Sequence, residues 1–163
     1  RTESNSIGIL NSQLHSEGKH AKELSLIGPS TGRWIPEIMK ENDPEDISYY
    51  PYMNGQFVFK NAVVRFTEVI NAGLKKAGWK PNEIDMLIPH QANLRIAQFV
   101  QKKFGLSDNQ VYNNIQRYGN TTAASIPIAL TEAWEEGKIE KGNKVVLAAF
   151  GSGFTWGSIM IQW

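Results

Sequence analysis

Residues 84–95 read Ile84-Asp-Met-Leu-Ile-Pro-His-Gln-Ala-Asn-Leu-Arg95, and their character changes at the midpoint. The apolar run Met86 to Ile88 has the length of a buried strand, and Pro89 ends it because proline has no amide hydrogen for a ladder. Asn93 can cap a helix that starts one residue later. Open α/β sheets place their sites where a strand leads into a helix. His90 is therefore a candidate site residue, although a histidine at a strand end is more often structural.

Apolar spacing predicts the remaining elements. The long segment of residues 28–55 is rich in Gly and Pro, which indicates a surface excursion with a helical turn around Glu37 to Lys40. A short strand is predicted within residues 107–114, centred on Val111 and Tyr112, and a loop over Gln116 to Asn120. The other predicted strands are Ile7–Leu14, Ala21–Ile27, Lys144–Ala149 and Phe154–Trp163. Two predicted helices are Gln56–Ala77, capped by Gly78, and Asn93–Phe104, closed by Gly105. A third ends near Gly137 and has the apolar face Ile126, Leu130, Ala133 and Trp134. Because Pro127 is unfavourable inside a helix, either the first turn of this helix is irregular or the helix starts late.

The predicted order is strand, helix, strand, helix, strand, helix, strand, strand. Such alternation favours an α/β fold with a mostly parallel sheet that helices cover, joined by right-handed crossovers. The last two strands are joined by Gly151-Ser152-Gly153, which is too short for a crossover, so this pair must be antiparallel and the sheet mixed. Residues 1–163 are expected to form one domain.

Composition narrows the class of protein. The 163 residues are 41% hydrophobic and 20% charged, which is typical of a soluble globular domain that buries roughly 70% of its unfolded surface. A net charge of +1 gives no reason to expect nucleic-acid or membrane binding. No signal peptide is visible at Arg1, and the lack of cysteine fits the cytoplasmic location that we expect. The absence of cysteine excludes disulfides and any thiol nucleophile in this chain, and three widely spaced histidines indicate no metal site.

Polar residues follow three of the predicted strands. His90 follows the strand that contains Met86 to Ile88, residues 117–122 follow the strand predicted within residues 107–114, and residues 150–153 follow Lys144–Ala149. Because parallel strands bring their carboxyl ends to one edge of a sheet, His90 and Asn120 could meet there, each offering a nitrogen donor. Two donors aimed at one point form an oxyanion hole. The alternative is that Asn120 and the glycine-rich segment only form turns.

Three segments together resemble the signature of one enzyme family. They read Pro89-His-Gln-Ala-Asn-Leu-Arg-Ile96, Gly119-Asn-Thr-Thr-Ala-Ala-Ser125 and Phe150-Gly-Ser-Gly-Phe-Thr-Trp-Gly157. The combination is similar to β-ketoacyl-acyl-carrier-protein synthase III, the thiolase-fold enzyme that starts bacterial fatty-acid synthesis. The resemblance extends from about Gly8 to Trp163, and the C-terminal half of that family has the same order of elements.

The resemblance implies a mechanism and a set of site residues. In the family, an acyl group moves from coenzyme A to a cysteine, malonyl-acyl-carrier protein decarboxylates, and the carbanion attacks the acyl-enzyme. His90 and Asn120 match the donors that hold the enolate oxygen, and the backbone amide of Ser152 matches the group that stabilises the oxyanion of the acyl-cysteine step. Coenzyme A and carrier thioesters are then substrates, and no cofactor is implied. Positions that match carrier or coenzyme A contacts are Gln91, Ala92, Asn93, Leu94, Arg95, Lys60, Lys102 and Lys103.

Residue spacing also supports a carrier-docking face. Arg95 and Lys102 lie seven residues apart, two turns along one helix face, and Lys103 is adjacent. Carrier proteins are acidic, so such a face can raise association rates by ~10–10³ at low salt. Composition alone favours an ordinary solvated helix face, and it is the family resemblance that favours docking.

The resemblance also implies that half of the enzyme is absent from this sequence. The acyl-accepting cysteine of the family lies in an N-terminal half, so this chain alone is expected to be inactive in condensation. The full enzyme is expected to be a homodimer. Two alternatives stay open: a non-catalytic module that binds coenzyme A or carrier protein, and a related condensing enzyme that uses malonyl-coenzyme A.

Overall fold

One four-stranded sheet organises the part of the chain that a computed structural model describes, residues 7–26 and 50–163. Its strands are β1 (Gly8–Ser16), β4 (Met86–Pro89), β5 (Lys144–Gly151) and β6 (Thr155–Gln162). The spatial order is β1-β6-β5-β4, and a separate two-stranded sheet pairs β2 (Leu24–Ser25) with β3 (Tyr52–Met53). The helices are α1 (Gly55–Ala77), α2 (Leu94–Phe104), α3 (Ile115–Tyr118) and α4 (Ser125–Glu135). The helical turn predicted around Glu37 to Lys40 lies outside the described residues.

The sheet is mixed, as the tight connection between its last two strands requires. β4 and β5 pair in parallel, whereas β6 pairs antiparallel with both β5 and β1. Three of the four strands thus run in one direction, but β6 lies between two of them. The expected mostly parallel sheet is therefore corrected: only one of its three neighbouring pairs is parallel.

Both faces of β4 are covered, which explains the continuous apolar run of this strand. Leu87 packs into a core with α1 and α2 on one face, and Met86 and Ile88 pack into a second core with α4 on the other. All three side chains are at most 2% exposed. Strands that are buried on both faces carry apolar residues without alternation.

The two long helices end as their sequences predict. Gly78 and Gly105 both adopt the left-handed conformation, and their amides bond to carbonyls of the last turn of α1 and α2. At the start of α2, the side-chain oxygen of Asn93 accepts from the Arg95 amide at 2.9 Å. α2 therefore begins directly after the loop that carries His90.

Three predictions of local structure were wrong. The segment around Val111 and Tyr112 makes one isolated parallel bridge, from Val111 to Leu87, in place of a strand. Residues 116–118, which were expected in a loop, belong to the short helix α3. Trp134, expected in the core face of α4, is 56% exposed beside Trp163, and the smaller Ala129 is fully buried. Pro127 is the third residue of α4, where its missing amide hydrogen breaks no intrahelical bond.

We expect Val100→Ala in α2 to lower the free energy of unfolding by about 2 kcal/mol, because it removes buried methyl groups and leaves a cavity. Val100 is fully buried in the core with α1, whereas Val64 of α1 is 50% exposed. Val64→Ala is the matched control, since both sites are helical, and it should change stability by less than about 0.5 kcal/mol. Urea denaturation measures both, and equal effects would contradict the assigned core.

Candidate active site

The three predicted loops lie at one edge of the sheet. The parallel pairing of β4 with β5 places His90 and Ser152 after the same ends of adjacent strands. The isolated bridge from Val111 to Leu87 is also parallel, so the chain leaves Tyr112 toward that same edge. The His90 amide donates to the Ala148 carbonyl of β5 at 2.8 Å, which fixes where the first loop begins.

Gln91 connects the first loop to the second. Its side chain is 3% exposed, and its Nε2 donates to the carbonyls of Pro89 at 2.7 Å and Tyr112 at 3.3 Å. Its Oε1 accepts from the amides of Asn114 at 3.0 Å and Ile115 at 3.2 Å. Because these four bonds use the hydrogen-bonding capacity of the amide group, we revise the interpretation of this side chain as a carrier or coenzyme A contact. It joins the His90 loop to the start of α3.

Asn120 is exposed in a loop whose backbone is unusual on both sides. Gly119 has φ 66° and ψ −157°, a region essentially restricted to glycine, and Thr122 has φ 52°, which is rare for a β-branched residue. The Asn120 Oδ1 accepts from the Thr122 amide at 2.8 Å. Its side-chain oxygen is thereby engaged, and its NH₂ group is the end left to donate. Strained backbone of this kind persists where the surrounding structure holds it, and it is common at functional sites.

Glu132 of α4 holds the short helix that precedes Asn120. Its carboxylate accepts from Asn114 Nδ2 at 2.8 Å, Arg117 Nη2 at 2.7 Å and the Tyr118 hydroxyl. The Asn114 and Tyr118 hydrogen bonds and the Arg117 charge lower the pKa of Glu132. The pKa of Tyr112 is raised to about 12, chiefly by burial and secondly by the hydrogen bond from its hydroxyl to Glu136. This network fixes α3, and hence the loop after it, onto α4.

His90 is partly buried and contacts the same helix. Its Nδ1 lies 2.6 Å from the Oγ of Ser125, the first residue of α4, and Ser125 is 1% exposed. Burial lowers the pKa of His90, which favours the neutral form of the imidazole. Ser125 follows Asn120 by five residues, so one short segment carries Asn120 and also contacts His90.

Ser152 lies in the three-residue turn between β5 and β6. The turn is Ser152 to Phe154, and Gly153 within it has φ 127°, which only glycine adopts freely. The Ser152 carbonyl accepts from the Thr155 hydroxyl at 2.9 Å. Among the described residues, none accepts a hydrogen bond from the Ser152 amide. The predicted hairpin turn is thus present, and its backbone amide faces no competing partner.

The predicted docking residues are solvent-exposed. Arg95, Lys102 and Lys103 of α2 are exposed, and so is Lys60 of α1. Phe99 of α2 is 44% exposed beside Lys103, and Val64 lines the same groove between the two helices. The remaining predicted contacts at the start of α2 are Ala92 and Asn93, which are exposed, and Leu94, which is half-buried.

Neither a metal centre nor a spanning helix is found in the described ranges. In residues 7–26 and 50–163, no three His, Asp or Glu side chains group closely enough to hold a metal ion. Within those same ranges, no helix has the length and apolar character needed to cross a membrane.

Sequence reasoning missed Ser125, Glu132 and the structural role of Gln91. Ser125 was visible only as a residue within a signature segment, and a serine at a helix start ordinarily indicates a cap. Glu132 is an acidic residue on an amphipathic helix, which indicates a solvated position. The partners in these hydrogen bonds lie 14–35 residues away in the sequence, so no local pattern could have identified them.

Comparison with known proteins identifies the family. Residues 74–163 match the family model described as 3-oxoacyl-[acyl-carrier-protein (ACP)] synthase III C terminal. The chain is 44% identical over 156 residues to β-ketoacyl-[acyl-carrier-protein] synthase III of Desulfotalea psychrophila, covering 96% of this chain and 47% of that protein. It is 41% identical over 165 residues to the Clostridium tetani protein of the same name, covering 99% of this chain and 49% of that one.

Comparison with solved structures leads to the same family as the sequence comparisons. The 3-oxoacyl-[acyl-carrier-protein] synthase III of Aquifex aeolicus VF5 superimposes with a TM-score of 0.84 at 37% identity, covering all of this chain and 46% of that one. The Thermus thermophilus enzyme of that type gives a TM-score of 0.83 at 36% identity, covering 98% and 47%. The fold is thus a thiolase-like half, with a mixed sheet covered by helices. The chain belongs to the 3-oxoacyl-acyl-carrier-protein synthase III C-terminal family, and it spans about half the length of the curated relatives it matches.

We expect Gln91→Met to lower the free energy of unfolding by at least about 2 kcal/mol, since two buried amides and two carbonyls lose their partner. Gln98→Met is the matched control, because Gln98 is exposed on α2 and should tolerate the change within about 0.5 kcal/mol. Denaturant unfolding of both variants measures the difference. A Gln91 variant as stable as the control would show that the link between the loops contributes little.

Proposed function

We propose that this chain is the C-terminal half of a condensing enzyme that joins an acyl starter to malonyl-acyl-carrier protein at the start of fatty-acid synthesis. The observation that carries the proposal is the placement of His90. It is a neutral histidine after β4, in a loop that hydrogen bonds connect to the segment bearing Asn120. Membership of the synthase III family supports the reaction class.

The proposed chemistry requires a stabilised enolate. Loss of carbon dioxide breaks the bond between the malonyl methylene carbon and its carboxylate, and the electron pair moves toward the thioester oxygen. N–H groups of His90 and Asn120 would donate to that oxygen, an effect typically worth ~10²–10³ in rate for each donor. The enolate carbon would then attack the acyl thioester on a cysteine, which leaves as the thiolate.

The Ser152 amide is proposed to serve the second oxyanion. When the acyl-cysteine thioester is attacked, negative charge develops on its carbonyl oxygen. A backbone N–H in a glycine-flanked turn can approach that oxygen closely, because no bulky side chain intervenes. The exposed Ser152 side chain is not required for this role.

The cysteine is proposed to come from an N-terminal half, since this chain has none. An exposed apolar surface supports the presence of such a half. Ile9 and Leu14 of β1 are 69% and 82% exposed. They oppose Ile161 and Gly157 of β6, on the sheet face that α4 covers, where α4 packs chiefly over β4. Because the curated relatives are about twice as long as this chain, their additional half is the occupant we propose for this surface.

Acyl carrier protein and acyl-coenzyme A are the proposed partners of the exposed face of α2. The cations Arg95, Lys102 and Lys103 would attract an acidic carrier, and Ala92, Asn93 and Leu94 would flank the pantetheine arm. A homodimeric, cytoplasmic full-length enzyme completes the proposal and follows from the family resemblance alone.

We expect His90→Ala and Asn120→Ala each to lower malonyl decarboxylation by at least ~10²-fold in the full-length enzyme, because each removes one donor to the enolate oxygen. Acyl transfer to the cysteine should be affected less, since a separate oxyanion site serves that step. The double variant should lose less than the product of the single losses, because residues that act as a unit are non-additive. Release of labelled carbon dioxide, beside a separate acyl-transfer assay, measures both steps.

The folding of both variants must first be checked by circular dichroism, because Asn120 also caps its own turn. Folded variants that decarboxylate at the wild-type rate would return both residues to a purely structural role.

We expect Arg95→Glu to impair the use of carrier-linked malonyl substrate more than the use of malonyl-coenzyme A, because only the carrier presents an acidic protein surface. The difference should shrink with added salt, since exposed charges are screened over ~8–10 Å at physiological ionic strength. Lys141→Glu is the control: it makes the same charge change at an exposed position before β5, at the opposite edge of the sheet. Steady-state kinetics on both donors measures the effect, and equal losses on both at every salt concentration would argue against docking at α2.

A further inference from the structure

We propose that Ser125 is a positioning residue that sets the tautomer of His90, holding the ring proton on Nε2. The proposal rests on the proposed function of His90 as a donor to the enolate oxygen. It goes beyond that function because it names the group that decides whether His90 can donate at all. A neutral imidazole has only one N–H, so the tautomer determines which ring nitrogen is the donor.

The contacts of the Ser125 hydroxyl define the assignment. Its Oγ lies 2.6 Å from His90 Nδ1 and accepts from the Gln91 amide at 3.3 Å. Ser125 is 1% exposed, and its own amide donates to the Thr122 carbonyl, so the side chain starts from a fixed backbone. No other side chain or carbonyl in residues 7–26 and 50–163 hydrogen-bonds to this hydroxyl.

Counting protons distinguishes the two tautomers. The Gln91 amide can only donate, so it occupies one lone pair of the Ser125 oxygen. If Nδ1 is unprotonated, the Ser125 hydrogen points at it and every group is satisfied, with the ring proton on Nε2. If Nδ1 carries the proton, the Ser125 oxygen accepts twice and its own hydrogen has no acceptor in a buried position, which carries a free-energy penalty.

The charged form of the His90 ring is disfavoured as well. An imidazolium would also place a proton on Nδ1 and meet the same unsatisfied hydroxyl. Burial lowers the pKa of His90 as well, which agrees with a neutral ring. The geometry alone, however, selects Nε2–H among the neutral forms.

The tautomer of His90 determines whether its ring attracts or repels the negative oxygen of the substrate. With the proton on Nε2, His90 presents a donor on the side of the ring away from Ser125, where a developing enolate oxygen needs one. With the proton on Nδ1, a lone pair would face the negative oxygen and repel it. Ser125 would act through His90 and would not touch the substrate.

The same segment would then organise both donors. Asn120 is held by the Thr122 amide, and Ser125, three residues further along, contacts His90. The hydrogen bonds of Glu132 fix the helix that leads into this segment. Residues 120–125 would therefore set the Asn120 amide orientation and the His90 tautomer together.

The test compares Ser125→Ala with Ser125→Thr, which keeps a hydroxyl, in the full-length enzyme. Ser158→Ala is the matched control, because Ser158 is also buried, at 2% exposure, and its hydroxyl donates to the Val69 carbonyl of α1 and not to His90. Nitrogen-15 chemical shifts of the imidazole, assigned with His90→Ala, report which ring nitrogen is protonated. Carbon dioxide release from the malonyl thioester gives kcat and KM.

We expect wild type, Ser125→Thr and Ser158→Ala to show His90 protonated on Nε2. Ser125→Ala should show a mixture of tautomers and a kcat about tenfold lower, short of the ~10²–10³ loss of a whole donor. Its KM should change little, because Ser125 does not contact the substrate. Should Ser125→Ala fail to fold, Ser125→Cys, with its weaker thiol donor, decides by the same two readouts.

Two results separate this proposal from the function on which it rests. Unchanged nitrogen-15 shifts and kcat in folded Ser125→Ala, with His90→Ala still impaired, would overturn the role of Ser125 alone. Wild-type decarboxylation by His90→Ala would overturn the proposed function itself. A fall in kcat without any change in tautomer would also overturn the proposal, because it would indicate a purely structural effect.

Discussion

The parallel pairing of β4 with β5 is the constraint on which the rest of the structure depends. It buries a continuous apolar strand between two helical layers, and it requires a long connection through α2, α3 and α4 between the two strands. Because the strands are parallel, the loops that leave them emerge at one edge. His90 and the Ser152 turn are thus placed near each other by backbone pairing, before any side chain contributes.

Side-chain hydrogen bonds then convert that common edge into a defined arrangement. The buried amide of Gln91 links the His90 loop to the start of α3, and the carboxylate of Glu132 links α3 to α4. The hydroxyl of Ser125 in turn links α4 to His90. Groups held in this way lose little freedom when charge develops on a substrate, which is how preorganised donors accelerate reactions. The strained backbone at Thr122 is tolerated because its surroundings hold it.

The sequence predicted the elements whose signals are local. The helix over residues 56–77, the caps at Gly78 and Asn93, and the antiparallel final pair are all present. It did not predict that β6 lies between β1 and β5, since strand order depends on long-range packing. The short helix α3 was missed because four residues are too few for periodicity to identify.

The candidate site was predictable only in part. His90 and Asn120 stood out because each follows a predicted strand, and the signature segments supplied their roles. Gln91 and Ser125 could not be assigned from sequence, because their buried partners come from segments more than 20 residues away. The apolar pattern wrongly placed Trp134 in the core. Its position is at the margin of the buried face of α4, and its ring lies beside Trp163.

The central claim is that His90 and Asn120 donate to one substrate oxygen. A crystal structure of the full-length enzyme with a non-decarboxylating malonyl-thioester analogue tests it most directly. The account predicts the thioester oxygen within ~2.7–3.1 Å of both His90 Nε2 and Asn120 Nδ2, the range of an oxyanion-hole contact. A thioester oxygen bound to neither nitrogen, or to only one of them, would contradict the account.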